Sequence, residues 1–167
     1  MGREVAYDPV RRRLYHFRDG ISPNDLHYDS IGTNGLITGS AESPYHGDYS
    51  FYAPIRVSPD GNQVLTGSGA VFNASDLRFA ASLANPVTDA LWKGTTLVSL
   101  RLINGLTQLQ TWTGAAFTPG AVRQFSGTPV RLFDTPQGLL VVSSAAGTPR
   151  FTLLDDSFNT VYVSPTR

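Results

Sequence analysis

Cysteine is absent from the 167 residues, which excludes disulfide bonds, thiolate metal sites and cysteine nucleophiles. The same absence fits the cytoplasm and an oxidising exterior alike, so it fixes no compartment. Lysine is nearly absent too: Lys93 stands alone beside twelve arginines, a bias that reflects genome composition more than chemistry. Charged residues make up 16% of the chain, below the usual quarter. The 13 basic and 13 acidic groups cancel, so no long-range field draws in nucleic acid or an anionic membrane. No apolar run approaches the ~20 residues that a membrane span needs. The opening stretch "MGREVAYDPV" is charged and lacks a hydrophobic core segment, so it is not a signal peptide and reads as a mature or truncated start.

What is present is apolar surface, 41% of residues, with Gly 16 and Pro 11 spread along the chain rather than clustered. That distribution suits an all-β protein with many turns better than a disordered linker. The length suffices for one domain with a real core. Four segments repeat one grammar, a short apolar strand, a tight polar turn and a second β-rich strand. They are "EVAYDPVRRRLYHF" from Glu4, "PIRVSPDGNQVLTGSG" from Pro54, "VTDALWKGTTLVSLRL" from Val87 and "PVRLFDTPQGLLVVSS" from Pro129. Their turns collect Asp, Pro and Gly, which preset φ or tolerate positive φ. Two further strand-like runs follow each hairpin, such as "DLHYDSI" and "GLITGS" after the first and "AVFNASDL" and "RFAASL" after the second. No stretch keeps a helical apolar rhythm over three turns. Four strands per unit, at spacings of about 33 to 51 residues, is the period of a β-propeller blade.

The stretch "RVSPDGNQVLTGSGAVFNASDL" resembles the YVTN-type and WD40-like propeller repeats of bacterial and archaeal surface-layer-like proteins. The first unit resembles the Asp-Pro turn variant, and the third and fourth are similar mainly in spacing. The resemblance implies an all-β single domain over 1–167, a β-propeller of four four-stranded blades at about 3–40, 54–83, 87–125 and 129–165. An irregular sandwich is the competing architecture. Since such repeats more often come in sevens or eights, four blades imply a partial or half ring. That ring is completed by self-association, as a homodimer or larger, or by missing blades of a longer parent chain. A self-closed four-blade ring is the alternative. The resemblance also favours an extracytoplasmic or cell-surface location, which nothing else in the sequence fixes.

The connections from one unit to the next are brief at "ANP" (84–86) and "SGT" (126–128), but long at "SPYHGDYSFY", residues 43–52. A long loop on the face where propellers bind ligands invites a functional reading. Tyr45, Tyr49 and Tyr52 offer flat amphipathic surfaces to a glycan or peptide, with His46 and Asp48 orienting polar groups. The structural reading makes the same rings a lid over the blade edge, reversed at Gly47. His46 and Asp48 alone fall short of the three or four ligands a metal needs. His27 and Asp29, on the third strand of the first unit, are expected to lie apart and complete no cluster. No metal site and no cofactor are expected. Glu4, Arg56, Asp89 and Arg131 fall on the innermost strands, either to bind a polar ligand in a central channel or to form alternating salt bridges between blades. "RRR" at 11–13 is expected to be a solvated turn, and "GSG" at 67–69 a bulge or tight packing within a strand.

No catalytic motif is present: no G-x-S-x-G, H-E-x-x-H, P-loop or G-x-G-x-x-G. The reading is therefore a non-enzymatic interaction or scaffold module with an unidentified protein or glycan ligand. The alternative is a propeller hydrolase or lactonase-like enzyme whose site at the channel mouth is assembled from several blades.

Overall fold

The computed structural model describes residues 4–18, 22, 24–83 and 85–164. The outer blade limits at 3 and 165, and Ala84 of the "ANP" connection, lie outside them. Among the described residues, sixteen strands form four antiparallel sheets of four, each a simple meander in chain order. Among the described residues there is no helix, and so none long and apolar enough to cross a membrane. The chain divides into two compact units, Met1–Pro86 and Val87–Arg167.

In the first unit, β1 (Val5–Asp8), β2 (Arg13–Phe17), β3 (Leu26–Ile31) and β4 (Ile37–Glu42) make the first sheet. The second comprises β5 (Ile55–Val57), β6 (Gln63–Thr66), β7 (Ala70–Asn73) and β8 (Phe79–Ser82). Period-2 alternation sends Tyr15 and Leu26 of one sheet and Ile55, Val64 and Phe72 of the other into a shared core. The two first strands, β1 and β5, abut each other. The "SPDG" turn is held from within: Ser58 Oγ accepts the backbone N–H groups of Asn62 and Gln63, at 3.1 and 2.9 Å, and donates to Asp60 Oδ1 at 2.5 Å. Gly61 has φ 68°, and a Cβ there would come within 2.9 Å of Val10 Cβ in the neighbouring hairpin.

That hairpin corrects the expectation of a solvated "RRR". Arg11 Nη2 donates to Asn62 Oδ1 at 2.7 Å, Arg12 Nε to Ile31 O at 3.0 Å, and Arg13 Nη1 to the carbonyl of Ala74. The Arg13 guanidinium also lies 3.7 Å from the centre of the Tyr28 ring. All three arginines are half-buried: Arg11 and Arg13 staple the first sheet to the turns of the second, and Arg12 ties its hairpin to the end of β3, because their planar donors match fixed acceptors. "GSG" likewise lies in the turn between β6 and β7 rather than inside a strand. It is tight packing nonetheless, for a Cβ on Gly67 would stand 2.0 Å from Ala53 O.

In the second unit, β9 (Asp89–Lys93), β10 (Thr96–Ile103), β11 (Leu106–Thr113) and β12 (Thr118–Phe125) form the third sheet. The fourth holds β13 (Thr128–Thr135), β14 (Gly138–Ala145), β15 (Thr148–Leu154) and β16 (Thr160–Val163). Two hairpins turn on consecutive positive φ values, Asn104-Gly105 at 51° and 78° and Ala146-Gly147 at 50° and 79°, the type I′ geometry that matches strand twist. One face of the fourth sheet, with Leu132, Leu139, Val141 and Leu154, packs on Val98, Leu100 and Leu109 of the third. On its other face the register aligns Phe133, Leu140, Leu153 and Tyr162 in one row and Val142 and Phe151 in the next. Phe133, Phe151 and Tyr162 are 48%, 43% and 52% exposed there.

Candidate functional site

Residues 43–54 leave the end of β4 and close over the core of the first unit. Ser43 is buried and its N–H donates to Leu26 O. Phe51 is buried, while Tyr45 and Tyr49 are half-buried against the same core. Tyr49 stacks on Phe79 at 5.1 Å and meets Tyr45 and Phe72 edge-on, at 4.7 and 5.4 Å, the offset and T-shaped contacts that aromatic quadrupoles favour. The Tyr45 hydroxyl accepts the Phe79 N–H at 3.0 Å, tying the loop to the outer strand β8. Gly47 takes φ 101° at the reversal, and Tyr52 O accepts the Gly67 N–H. Tyr52 and Asp48 are exposed.

The charges on the first strands form two equivalent pairs. Arg56 Nη1 binds Glu4 Oε1, which also accepts the Ile55 N–H at 3.3 Å. In the second unit Asp89, fully buried, accepts the Leu132 N–H at 2.8 Å and lies 3.5 Å from Arg131 Nε. Each acid thus ties one first strand to the backbone and guanidinium of its neighbour.

One grouping escaped the sequence reading. His27 does not stay apart from the loop, because Asp25 links the two. His46 reaches back from the loop to place Nδ1 3.2 Å from Asp25 Oδ2. Register sets His16, His27 and Glu42 side by side on adjacent strands. The His16 and His27 rings stack at 5.6 Å, and His27 Nε2 lies 3.6 Å from Glu42 Oε2. Asp25, His27 and Glu42 each present one ligand atom within 4.8 Å of the other two. Burial holds the His27 pKa below its ordinary value, more strongly than Glu42 raises it. Asp29, also on this face, pairs with His16 at 3.3 Å and accepts the Ser40 hydroxyl at 2.5 Å. All three histidines of the chain therefore gather at one end of the first sheet. Strand register brings His16 to His27 and the loop brings His46 to Asp25, and no spacing in the sequence signals either.

No protein-family model matches the chain, and no curated protein matches it in sequence. Solved structures do match in fold. Hydrazine synthase of Kuenenia stuttgartiensis aligns at TM-score 0.72 and 12% identity, over 96% of this chain and 47% of that one. A chain of the mitotic checkpoint complex aligns at 0.69 and 13%, over 98% and 51%. BamB from Moraxella catarrhalis aligns at 0.57 and 12%, over 95% and 47%. These are β-propeller proteins, and with four four-stranded meanders the fold here is a β-propeller. The chain spans about half the length of these matches. Propellers serve as enzymes and as scaffolds, so the fold alone names no activity.

Proposed function

We propose that this chain is a non-enzymatic propeller interaction module, of the kind its YVTN-like repeats imply, which completes its ring by pairing with a second copy of itself. The observation that carries this reading is the apolar row on the free face of the fourth sheet, Phe133, Phe151 and Tyr162 with the half-buried Leu140, Val142 and Leu153. A blade face of that composition is stabilised by another blade, at ~25 cal/mol for each Å² of apolar area withdrawn from water. Two copies supply eight blades, and the propellers that this chain resembles are about twice its length. Head-to-tail pairing about a twofold axis would set the fourth sheet of each copy on the first sheet of the other, where Val5 and Tyr7 are exposed. Tyr45, Tyr49 and the first-strand charges serve the fold: the two rings are packed on the core and the acids are tied to arginines and backbone. A hydrolase site would need such acids converging on a substrate instead. The second copy's place could also be taken by further blades of a longer chain.

The native absence of cysteine makes a clean test. Phe133→Cys, on the first strand β13, and Tyr7→Cys, on the first strand β1, are prepared as separate proteins and mixed under mild oxidation. A disulfide-linked pair formed mainly between the two variants supports the reading. Cross-linking no better in the mixture than within each variant alone contradicts it.

A further inference from the structure

We propose that Asp25, His27 and Glu42, with His46 as the fourth ligand, bind a divalent cation of the zinc class at the loop end of the first sheet. Two histidines and two carboxylates are a borderline donor set that suits Zn²⁺ and related ions, and the two carboxylates balance its charge. The spacing is close to what such an ion needs. With metal–ligand distances of about 2.0 Å, two ligands of a tetrahedral ion stand about 3.3 Å apart. Here His27 Nε2 is 3.6 Å from Glu42 Oε2, and His46 Nδ1 is 3.2 Å from Asp25 Oδ2. Asp25, His27 and Glu42 offer ligand atoms within 4.8 Å of one another, so side-chain movement of up to about 1.5 Å closes them to a tetrahedral edge. His46, which lies beside Asp25 outside that group, joins by turning its exposed ring.

A second, independent observation points to a ligand. Asp25 is 3% exposed, yet among the described residues its Oδ1 has no hydrogen-bond partner, and neither has the buried Nε2 of His27. Buried polar atoms are almost always satisfied, and two of the three grouped residues each carry one that is not. Burial lowers the His27 pKa, which favours the neutral ring, the form that ligates. Arg18 lies 3.7 Å from Glu42 Oε2. It is the competing cation, and both groups are half-exposed and free to part.

The site lies on the same face of the first sheet as Val5 and Tyr7, where the proposed self-association would seat the second copy, so Zn²⁺ binding is read by its own signals and not by chain mass. Chelator-treated protein is titrated with Zn²⁺ alone by calorimetry, and the imidazole nitrogens are followed by NMR, where three histidines give three resolvable spin systems. The expected result is one Zn²⁺ per chain, with the His27 and His46 nitrogens shifting far more than those of His16. Glu42→Gln and His46→Ala, at exposed side chains that the core does not need, should each weaken binding by about tenfold or more. Asp48→Asn, on the loop beside His46, should bind as the parent does. Asp25→Asn should abolish binding, and its fold is checked by circular dichroism. Zn²⁺ uptake that Glu42→Gln and His46→Ala leave unchanged, uniform shifts of all three histidines, or no binding at micromolar Zn²⁺ would each overturn the assignment.

Discussion

Tyr49 touches four other rings, Tyr45, Phe51, Phe72 and Phe79, and the loop that carries it is fastened at both ends by backbone hydrogen bonds. Removing two of these rings removes the lid, so Tyr45→Ala with Tyr49→Ala should lower the melting temperature by several degrees, roughly 4–8 °C. Calorimetry checks this. An unchanged melting temperature with loss of glycan or peptide binding would make the loop a ligand site instead. Gly67 is the complementary residue, because the loop's last carbonyls press where its Cβ would be. Gly67→Ala should cost about 2–3 kcal/mol by overpacking, read as a lower urea midpoint with the slope unchanged. Neither effect is visible in the sequence beyond the presence of an unusual loop. "SPYHGDYSFY" announces aromatics, but which of them are buried depends on the neighbouring Phe72 and Phe79. The two readings stayed open for that reason.

The individual strands and turns were the legible part. Apolar alternation and Asp, Pro and Gly at the turns follow from the pleat and from φ preferences, both local, and the four hairpins lie where those patterns place them. What strands do to one another was illegible. The row His16, His27, Glu42 exists only through the register of β2, β3 and β4, and "RRR" reads as a solvated turn until the carbonyls of the next blade are in place. Two predictions belong to this scale. Asp60 is held below its ordinary pKa, chiefly by the Ser58 hydroxyl and then by the Asn62 N–H. Its folded pKa being depressed, the stability it contributes is complete above the unfolded value near ~3.9 and is lost as pH falls through the folded one. Asp60→Asn should therefore flatten the acid limb of stability below about pH 4, as followed by denaturation at stepped pH. Unchanged acid sensitivity would show the turn to be indifferent to that charge. Asp89 ties β9 to β13, and Asp89→Ala would leave the Leu132 N–H buried without its acceptor. A loss of about 1.5–3 kcal/mol is expected by chemical denaturation.

For the whole molecule, the account turns on the free face of the fourth sheet. Monomeric proteins seldom expose an aromatic row of this kind, and propellers related in fold are about twice the length of this chain. Four blades were legible from the repeat spacing, but the state of the last blade's outer face was not, because strand patterning does not say whether another blade covers that face. The exposure of Phe133, Phe151 and Tyr162 settles that locally and motivates the pairing proposed above. A lasting interface of this type buries upwards of ~1,000 Å², so charge placed on the row should abolish it while leaving the blade core intact. The most direct measurement is multi-angle light scattering of the parent and of a Phe133→Glu, Phe151→Glu double variant at micromolar concentration. The account predicts twice the 18.0 kDa chain mass for the parent and the single-chain mass for the variant. A parent that runs as an 18.0 kDa monomer, or a dimer that both substitutions leave intact, would contradict it.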